Sequence, residues 1–298
     1  MNELTIRVPG TTANLGPGYD CLGIALKVYN FVTLTRGGKP QEESRLVEEA
    51  ARLFFEKTGV TPFPFGWRVV GDVPRSRGMG SSVTLRLGVL HGLYYLSGLA
   101  EQPVHVAAGR GTGGSPAREF LFRLCAELEG HPDNAAPAAF GGFTVASKAG
   151  DWLRFPLEET LRFVLLIPNF EMETSEARKV LPEMVPHKDA VTSLGNACFL
   201  TAALAAKRYD LLKNVWQDYL HQPYRAPLLP GMEKVLEAGV NAGALGGFLS
   251  GSGSTMACLT LENPQRVGDE MLRAFGQTDA RVLVLEPDNE GTTIQKID

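Results

Sequence analysis

The chain has 298 residues, of which 44% are apolar and 21% charged, and its formal net charge is −4. This size and composition predict a globular protein with one large domain or two medium ones. The negative charge argues against nucleic acid or an anionic membrane as a partner, because both are polyanions. With no membrane-length apolar run and no signal-peptide pattern, we expect a cytoplasmic protein.

The first third of the chain shows strand and helix patterns on either side of two glycine-containing loops. The predicted elements are strands at 4–8, 29–35 and 67–73 and helices at 42–57 and 81–95. β-branched and aromatic residues favour the strands, and apolar residues at helical spacing favour the helices. The loops at 9–23 and 74–80 have the glycines and prolines typical of turns, and the second loop connects a strand to a helix.

The rest of the chain continues as a mixture of both element types. The turn-rich stretch at 98–115 predicts a surface loop. Pro116 can open a helix, and Gly130 ends it, so Glu129 should lie at a helix end. The later predictions are strands at 143–147, 163–167, 246–250, 255–259 and 281–285 and helices at 175–181, 190–207, 209–220 and 264–275. The lack of strict alternation predicts an α+β fold rather than a doubly wound sheet.

The loop at 78–82 is a candidate phosphate site. Gly78 and Gly80 would let backbone amides approach phosphate oxygens, and the following helix adds unpaired N–H groups and a positive dipole end. The loop matches neither GxxxxGK[ST] nor GxGxxG, and such a loop by itself is more often an ordinary helix start capped by serines. A second Gly-Ser loop at 249–255 could supply further amides to an anion.

The segment at 129–134 holds two carboxylates, an imidazole and an amide in six residues. Glu129 and a serine of the 78–82 loop would offer the hard oxygen ligands that Mg²⁺ prefers beside nucleotide phosphates. The alternative interpretation is a helix C-terminus followed by a turn. His131 has no second His or Cys at the spacing of a zinc site.

Five polar residues are candidates for substrate recognition. Asn14 and Asp20 could bind an ammonium or hydroxyl group, although both residue types also form turns. Thr174 and Arg178 are four residues apart on a predicted helix and share one face. Arg178 with Arg225 could hold a carboxylate, or both arginines could simply be exposed surface residues.

Together and in this order, these segments resemble the homoserine kinases of the GHMP small-molecule kinase superfamily, over nearly the whole chain. Segments similar to motifs of that family lie at 8–23, 74–82, 129–137, 168–178, 221–227 and 247–255. The resemblance implies a two-domain, GHMP-kinase-like α+β fold. A ribosomal-protein-S5-like N-terminal domain would cover 1–150, and a ferredoxin-like C-terminal domain would cover 151–298.

The resemblance also implies ATP- and Mg²⁺-dependent phosphorylation of the side-chain hydroxyl of L-homoserine, in threonine biosynthesis, by a homodimer. The implied nucleotide-binding residues are Pro74, Arg75, Ser76, Arg77, Gly78, Met79, Gly80, Ser81 and Ser82. The implied metal ligands are Ser81, Ser82 and Glu129. The implied substrate-binding residues are Asn14, Asp20, Asn134, Thr174, Arg178, Arg225, Gly251 and Gly253.

Three of these side chains have implied roles toward the substrate's charges. Asp20 would face its ammonium group, and Arg178 and Arg225 its carboxylate. The implied catalytic residues are Asn134, Asp133 and Arg178, because phosphoryl transfer needs alignment and charge neutralisation more than covalent help. Whether Asp133 acts as a general base is left open.

Three places depart from the pattern of the family: residues 83–86, the stretch at 109–115, and Ser254, which stands where a proline is common. Val83, Thr84 and Arg86 follow the two serines where small residues are usual, and Arg86 could reach solvent or add positive charge near the nucleotide. Two alternatives stay open: a GHMP kinase for another alcohol, such as a mevalonate-like or sugar substrate, and a non-catalytic ligand-sensing relative, which the altered residues after Ser82 suggest.

Overall fold

The structure is a computed structural model that describes residues 2–101, 115–276 and 279–297. The strands are β1 (Glu3–Ala13), β2 (Leu22–Arg36), β3 (Phe65–Gly71), β4 (Phe143–Ala146), β5 (Trp152–Phe155), β6 (Arg162–Pro168), β7 (Gly246–Leu249), β8 (Met256–Thr260), β9 (Ala280–Leu285) and β10 (Thr293–Ile297). The helices are α1 (Arg45–Thr58), α2 (Ser81–Leu96), α3 (Pro116–Glu129), α4 (Ala135–Phe140), α5 (Thr174–Lys179), α6 (His187–Ala205), α7 (Gln222–Arg225), α8 (Met232–Asn241) and α9 (Pro264–Phe275).

A six-stranded antiparallel sheet packs against a layer formed by helices α1 to α4. The strand order is β10-β1-β2-β4-β5, and β3 also pairs with β2. The helix α2 is apolar on nearly all sides because it lies between this sheet and its neighbours α1, α3 and α4. Gly88 and Gly92 bring it onto β2, since a Cβ there would lie 2.5–2.6 Å from Val32 and Leu34. This packing fixes the start of α2 at the edge of the site described below.

The second sheet is four-stranded and antiparallel, in the order β7-β8-β6-β9. With its connections through α8 and α9 it has the ferredoxin-like arrangement. One face packs on those helices through residues such as Val164, Val235 and Met271. The other shares a core with the first sheet, where Phe163 and Phe143 belong to the same apolar cluster. The predicted α+β class and ferredoxin-like C-terminal part are confirmed.

Several predicted elements need correction. The helix predicted at 209–220 is wrong, because only a 3-10 helix at Tyr209–Asn214 forms there. The sequence predicts 281–285 as the last strand, but a further strand, β10, follows it and pairs with β1. The loop predicted at 98–115 falls mostly outside the described residues. Within the described ranges, no helix combines the length and apolar character needed to cross a membrane.

The domain division at residue 150 stays a prediction. Strand β5 lies beyond that position yet pairs with β4, and β10 pairs with β1. The six-stranded sheet therefore includes two strands, β5 and β10, that lie beyond residue 150.

Candidate active site

Three loops that are far apart in sequence meet at one end of the two sheets. The amide of Thr11 donates to the carbonyl of Met79 at 3.1 Å, and the amide of Thr255 donates to the carbonyl of Arg77 at 3.2 Å. The amide of Gly251 donates to the carbonyl of β1 residue Ala13 at 3.1 Å. These backbone bonds fix the loop after β1, the loop before α2 and the β7–β8 loop around one cavity.

This cavity, which we call the central cavity, has a volume of about 530 Å³. The predicted site residues that line it are Asn14, Asp20, Ser76, Arg77, Gly78, Gly80, Ser81, Ser82, Glu129, Asp133, Asn134, Thr174, Arg178 and Arg225. The fold therefore brings together residues from the nucleotide, metal and substrate predictions.

The other predicted residues lie outside its lining. Pro74 and Arg75 line a neighbouring cavity of about 410 Å³, and Met79 is buried in the apolar core. Gly251 contributes its carbonyl to the support of the site rather than to the lining, and Gly253 packs near Leu249 and Leu229.

The glycines of the 78–82 loop meet both a conformational and a steric requirement. Gly78 and Gly80 have φ values of 73° and 69°, in the left-handed region that favours glycine. A Cβ on Gly78 would lie 2.1 Å from the carbonyl oxygen of Ser250, and one on Gly80 would lie 2.2 Å from the hydroxyl of Thr11. The first turn of α2 follows directly and lines the cavity. This bare backbone beside a helix N-terminus suits a phosphate group.

The oxygen ligands expected for a magnesium ion are present beside that turn. The hydroxyl of Ser82 donates to Oε2 of Glu129 at 3.0 Å. The hydroxyl of Ser81 instead accepts a bond from the amide of Ser76 at 3.4 Å. A carboxylate and a hydroxyl, both hard oxygen donors, fit Mg²⁺, and Ser82 is the serine that lies next to Glu129.

Arg86 is buried and pairs with two carboxylates. It is 7% exposed, and it pairs with Glu129 at 2.6 Å and with Glu49 at 2.9 Å. Burial would lower the pKa of its guanidinium, but the carboxylate of Glu129 and the bond to Glu49 outweigh burial and raise it. Of the two possibilities for Arg86, the solvent-exposed one is wrong. The guanidinium lines the central cavity, where two carboxylates pair with its charge.

An acid–base pair lies at the substrate end of the cavity. Arg178 Nη2 donates to Asp20 Oδ1 at 2.8 Å, and Nη1 donates to Oδ2 at 3.2 Å and to the hydroxyl of Tyr19 at 2.9 Å. Asn14 holds the loop by accepting from the Asp20 amide at 3.0 Å and donating to the Gly251 carbonyl at 2.9 Å. Burial would lower the pKa of Arg178, but the hydrogen bond and charge of Asp20 raise it, so the guanidinium keeps its charge.

Arg225 is buried beside this pair. Its Nε donates to the carbonyl of Ala177 at 3.1 Å, and its Nη1 donates to the carbonyl of Gly251 at 3.1 Å. The same Nη1 lies 3.2 Å from Nδ1 of His221. These acceptors fix the guanidinium in one orientation while it still lines the cavity.

The sequence interpretation missed His221 and Tyr19. Burial lowers the pKa of His221 to about 4, so its ring is neutral at ordinary pH. Nε2 lies 2.9 Å from the carbonyl of Gly16, which needs a donor, so Nδ1 is the acceptor for Arg225. The ring of Tyr19 stacks on His221 with centroids 5.1 Å apart. The i, i+4 spacing of His221 and Arg225 was a sequence signal for this contact.

Asp133 and Asn134 lie between the two ends of the cavity. Asp133 Oδ1 accepts bonds from His131 Nδ1 and, at 2.9 Å, from the amide of Asn134. Asn134 Oδ1 accepts from the hydroxyl of Thr11 at 2.7 Å. Burial would lower the pKa of His131, but the hydrogen bond and charge of Asp133 raise it. Ligand atoms of Asp20, His131 and Asp133 all lie within 4.8 Å of one another, which makes this region suited to a cation.

Comparison with known proteins identifies the family. Residues 45–142 match the model of the GHMP kinases N terminal domain, and residues 200–277 match the GHMP kinases C terminal model. A homoserine kinase of Thermus thermophilus is 39% identical over 96% of this chain and 96% of its own length. The chain belongs to the homoserine kinase family. The homoserine kinase of Aquifex aeolicus is 35% identical over 98% of this chain and 99% of its own length.

Solved structures agree with membership of the homoserine kinase family. The Cytophaga hutchinsonii homoserine kinase has a TM-score of 0.84 and 25% identity, covering 99% of this chain and 98% of that chain. The Methanococcus jannaschii mevalonate kinase has a TM-score of 0.63 at 12% identity, covering 96% and 98%, which shows the shared fold alone. The predicted family and GHMP-kinase fold are confirmed, and the chain is a kinase.

Proposed function

We propose that the chain transfers the γ-phosphoryl group of ATP to the side-chain hydroxyl of L-homoserine, giving O-phospho-L-homoserine for threonine biosynthesis. The ion pair of Asp20 and Arg178 in the same cavity as the Gly78 loop is the observation that carries this proposal. A zwitterionic amino acid complements both charges, with its ammonium toward Asp20 and its carboxylate toward Arg178 and Arg225. Mevalonate and sugars lack the ammonium and would leave Asp20 without a substrate partner.

The nucleotide end uses backbone groups for the phosphates. We assign the triphosphate to the loop at 74–82 and the first turn of α2, where Gly78 and Gly80 leave space for close approach. Ser82 and Glu129 would hold Mg²⁺, with Ser81 adjacent. When bound, Mg²⁺ neutralises negative charge on the phosphate oxygens during transfer.

Alignment of the acceptor hydroxyl is the role we assign to the residues between the two ends. Thr11 and Asp133 hold Asn134 through its side chain and amide, so Asn134 can orient the hydroxyl toward the phosphate loop. Asp133 Oδ1 already accepts from His131 and from Asn134. Through these bonds Asp133 positions both neighbours, and this is the role we assign to it.

We also infer a cytoplasmic homodimer without a nucleic-acid partner. The cytoplasm supplies ATP, and the net charge of −4 disfavours polyanions. Helix α6 exposes Val191, Leu194 and Phe199, which suits contact with a second copy. Sedimentation of the wild type and of Leu194→Glu tests this part, because the substitution should shift a dimer to monomer.

The substrate proposal is tested by ADP release from Mg²⁺-ATP with L-homoserine, mevalonate, galactose or shikimate as acceptor. We expect turnover with L-homoserine above the background hydrolysis of ATP, and background rates with the other three. Asp20→Asn should lose the homoserine-dependent rate while it retains nucleotide affinity, because the Asp20 carboxylate pairs with Arg178 rather than with the Gly78 loop. Equal turnover of mevalonate or a sugar would reject an amino-acid site, and no turnover with tight ATP binding would favour a sensor.

A further inference from the structure

The guanidinium of Arg86 lies against the carboxylate that we assign to magnesium. Nη1 donates to Glu129 Oε1 at 2.6 Å and to the carbonyl of Leu128 at 3.0 Å. The other oxygen of Glu129, Oε2, accepts the hydroxyl of Ser82. Glu129 therefore turns one oxygen toward Arg86 and leaves the other on the side of the phosphate loop.

A second carboxylate completes the arrangement. Arg86 Nη2 donates to Glu49 Oε2 at 2.9 Å, and Glu49 also accepts from the exposed Arg45 at 2.7 Å. Arg86 comes from α2, Glu129 from the end of α3 and Glu49 from α1, so three helices meet at this guanidinium. Because Arg86 is largely buried, water and salt screen its charge only weakly.

We propose that Arg86 is a positioning residue that sets the magnesium affinity of the kinase; this inference rests on the proposed role of Glu129. Because Oε1 accepts the bond from Arg86, Oε2 is the oxygen with which Glu129 would hold the metal. Arg86 lines the same cavity as Ser82 and Glu129, and its positive charge also repels a divalent cation bound at this carboxylate. The repulsion decides the direction of the effect: removal of Arg86 would leave Glu129 without its cation and Glu49 with only the exposed Arg45. The cation would then be attracted more strongly.

Glu49 affects the same metal affinity through its ion pair with Arg86. Because Glu49 partly neutralises Arg86, the positive charge of Arg86 offsets less of the negative charge of Glu129, and Glu129 attracts the metal more strongly. A neutral residue at position 49 should therefore weaken metal binding, although it is on another helix from the metal ligands. Opposite effects at positions 86 and 49 would be hard to obtain from a general loss of structure.

The test measures Mn²⁺, as a stand-in for Mg²⁺, through the electron paramagnetic resonance signal of the free ion. Full-length enzyme is titrated in the presence of equimolar ADP, and a titration of ADP alone corrects for metal held by the nucleotide. Arg86→Met keeps much of the side-chain length and packing without the charge. We expect this variant to bind Mn²⁺ roughly tenfold more tightly than wild type, equivalent to ~1.4 kcal/mol.

Three further variants make the result specific. Arg86→Lys retains the charge and should keep the Mn²⁺ affinity within about twofold of wild type, which serves as the conservative rescue. Glu49→Gln should weaken binding about threefold, and Glu129→Gln at least tenfold. Circular dichroism checks that each variant is folded. If Arg86→Met does not fold, the sign of the Glu49→Gln effect decides: weaker binding supports the inference and unchanged binding overturns it.

The outcomes separate the two proposals. Unchanged or weaker Mn²⁺ binding by folded Arg86→Met, together with weaker binding by Glu129→Gln, overturns the role of Arg86 and leaves the proposed metal site in place. Unchanged binding by Glu129→Gln overturns the metal site itself and the role of Arg86 with it.

Discussion

Replacing Arg178 by methionine tests the substrate end of the central cavity. Arg178 donates two N–H groups to Asp20 at 2.8 and 3.2 Å. We expect these donors to bind the carboxylate of homoserine when the substrate ammonium pairs with Asp20 in their place. The substitution removes these charge-assisted donors but keeps an unbranched apolar stem. The nucleotide loop lies at the other end of the cavity and should not change.

The magnitude follows from the exposure of the arginine. A hydrogen bond to a charged group contributes about 1.5–3 kcal/mol when it is well buried. The Arg178 side chain is 37% exposed, so two such bonds to the substrate should together contribute about 2–3 kcal/mol after solvent screening. This corresponds to a roughly 30- to 150-fold fall in kcat/KM for homoserine.

The assay is steady-state ADP release with homoserine varied, together with calorimetric titration of ADP. Lys179→Met is the matched control, because Lys179 is the next residue on α5 and its side chain is 69% exposed. Lys179→Met should keep both kcat/KM for homoserine and the affinity for ADP within about twofold of wild type, since exposed ion pairs contribute little. Normal homoserine kinetics in Arg178→Met, or an equal loss of ADP affinity, would refute the assignment of this residue to the substrate carboxylate.

Two further predictions concern stability. Gly78→Ala should unfold more easily than Gly98→Ala: both positions have positive φ, but a Cβ at Gly98 meets nothing within 4 Å, whereas one at Gly78 meets a backbone carbonyl. We expect Gly98→Ala to lower the free energy of unfolding by ~1–2 kcal/mol and Gly78→Ala to lower it by ~1–3 kcal/mol more. Urea unfolding measures both losses, and equal losses would contradict the steric argument. Asp133 raises the pKa of His131 above its ordinary value of 6.5 despite the opposing effect of burial. The stability that the His131–Asp133 interaction contributes is therefore complete below pH 6.5, and it is lost as pH rises through the raised pKa. The stability advantage of wild type over His131→Gln should therefore shrink as pH rises, and a growing advantage would contradict this sign.

Local patterns predicted the elements that depend on neighbours in sequence. The helices predicted at 42–57, 81–95 and 264–275 correspond closely to α1, α2 and α9, because apolar spacing and end signals act within a few turns. The failures depend on distant partners. Strand β10 forms by pairing with β1 at the opposite end of the chain, which no local pattern encodes.

The candidate site shows the same division. Motif order suggested which residues belong together, and the cavity does bring Asp20, Arg178 and Glu129 into one lining. No pattern in the sequence indicated which serine lies beside Glu129 or where Arg86 points. Those answers depend on how α1, α2 and α3 cross, and the structure puts the carboxylate of Glu49 in reach of Arg86.

The most direct test of the central claim compares L-homoserine with 4-hydroxybutyrate as phosphoryl acceptors. The two molecules share the hydroxyl and the carboxylate, and only homoserine has the ammonium that we assign to Asp20. We predict a preference in kcat/KM of about a hundredfold or more for homoserine, equivalent to ~3 kcal/mol for a partly buried charge pair. Asp20→Asn should remove most of this preference. Equal use of both acceptors by the wild type would contradict an amino-acid site in this kinase.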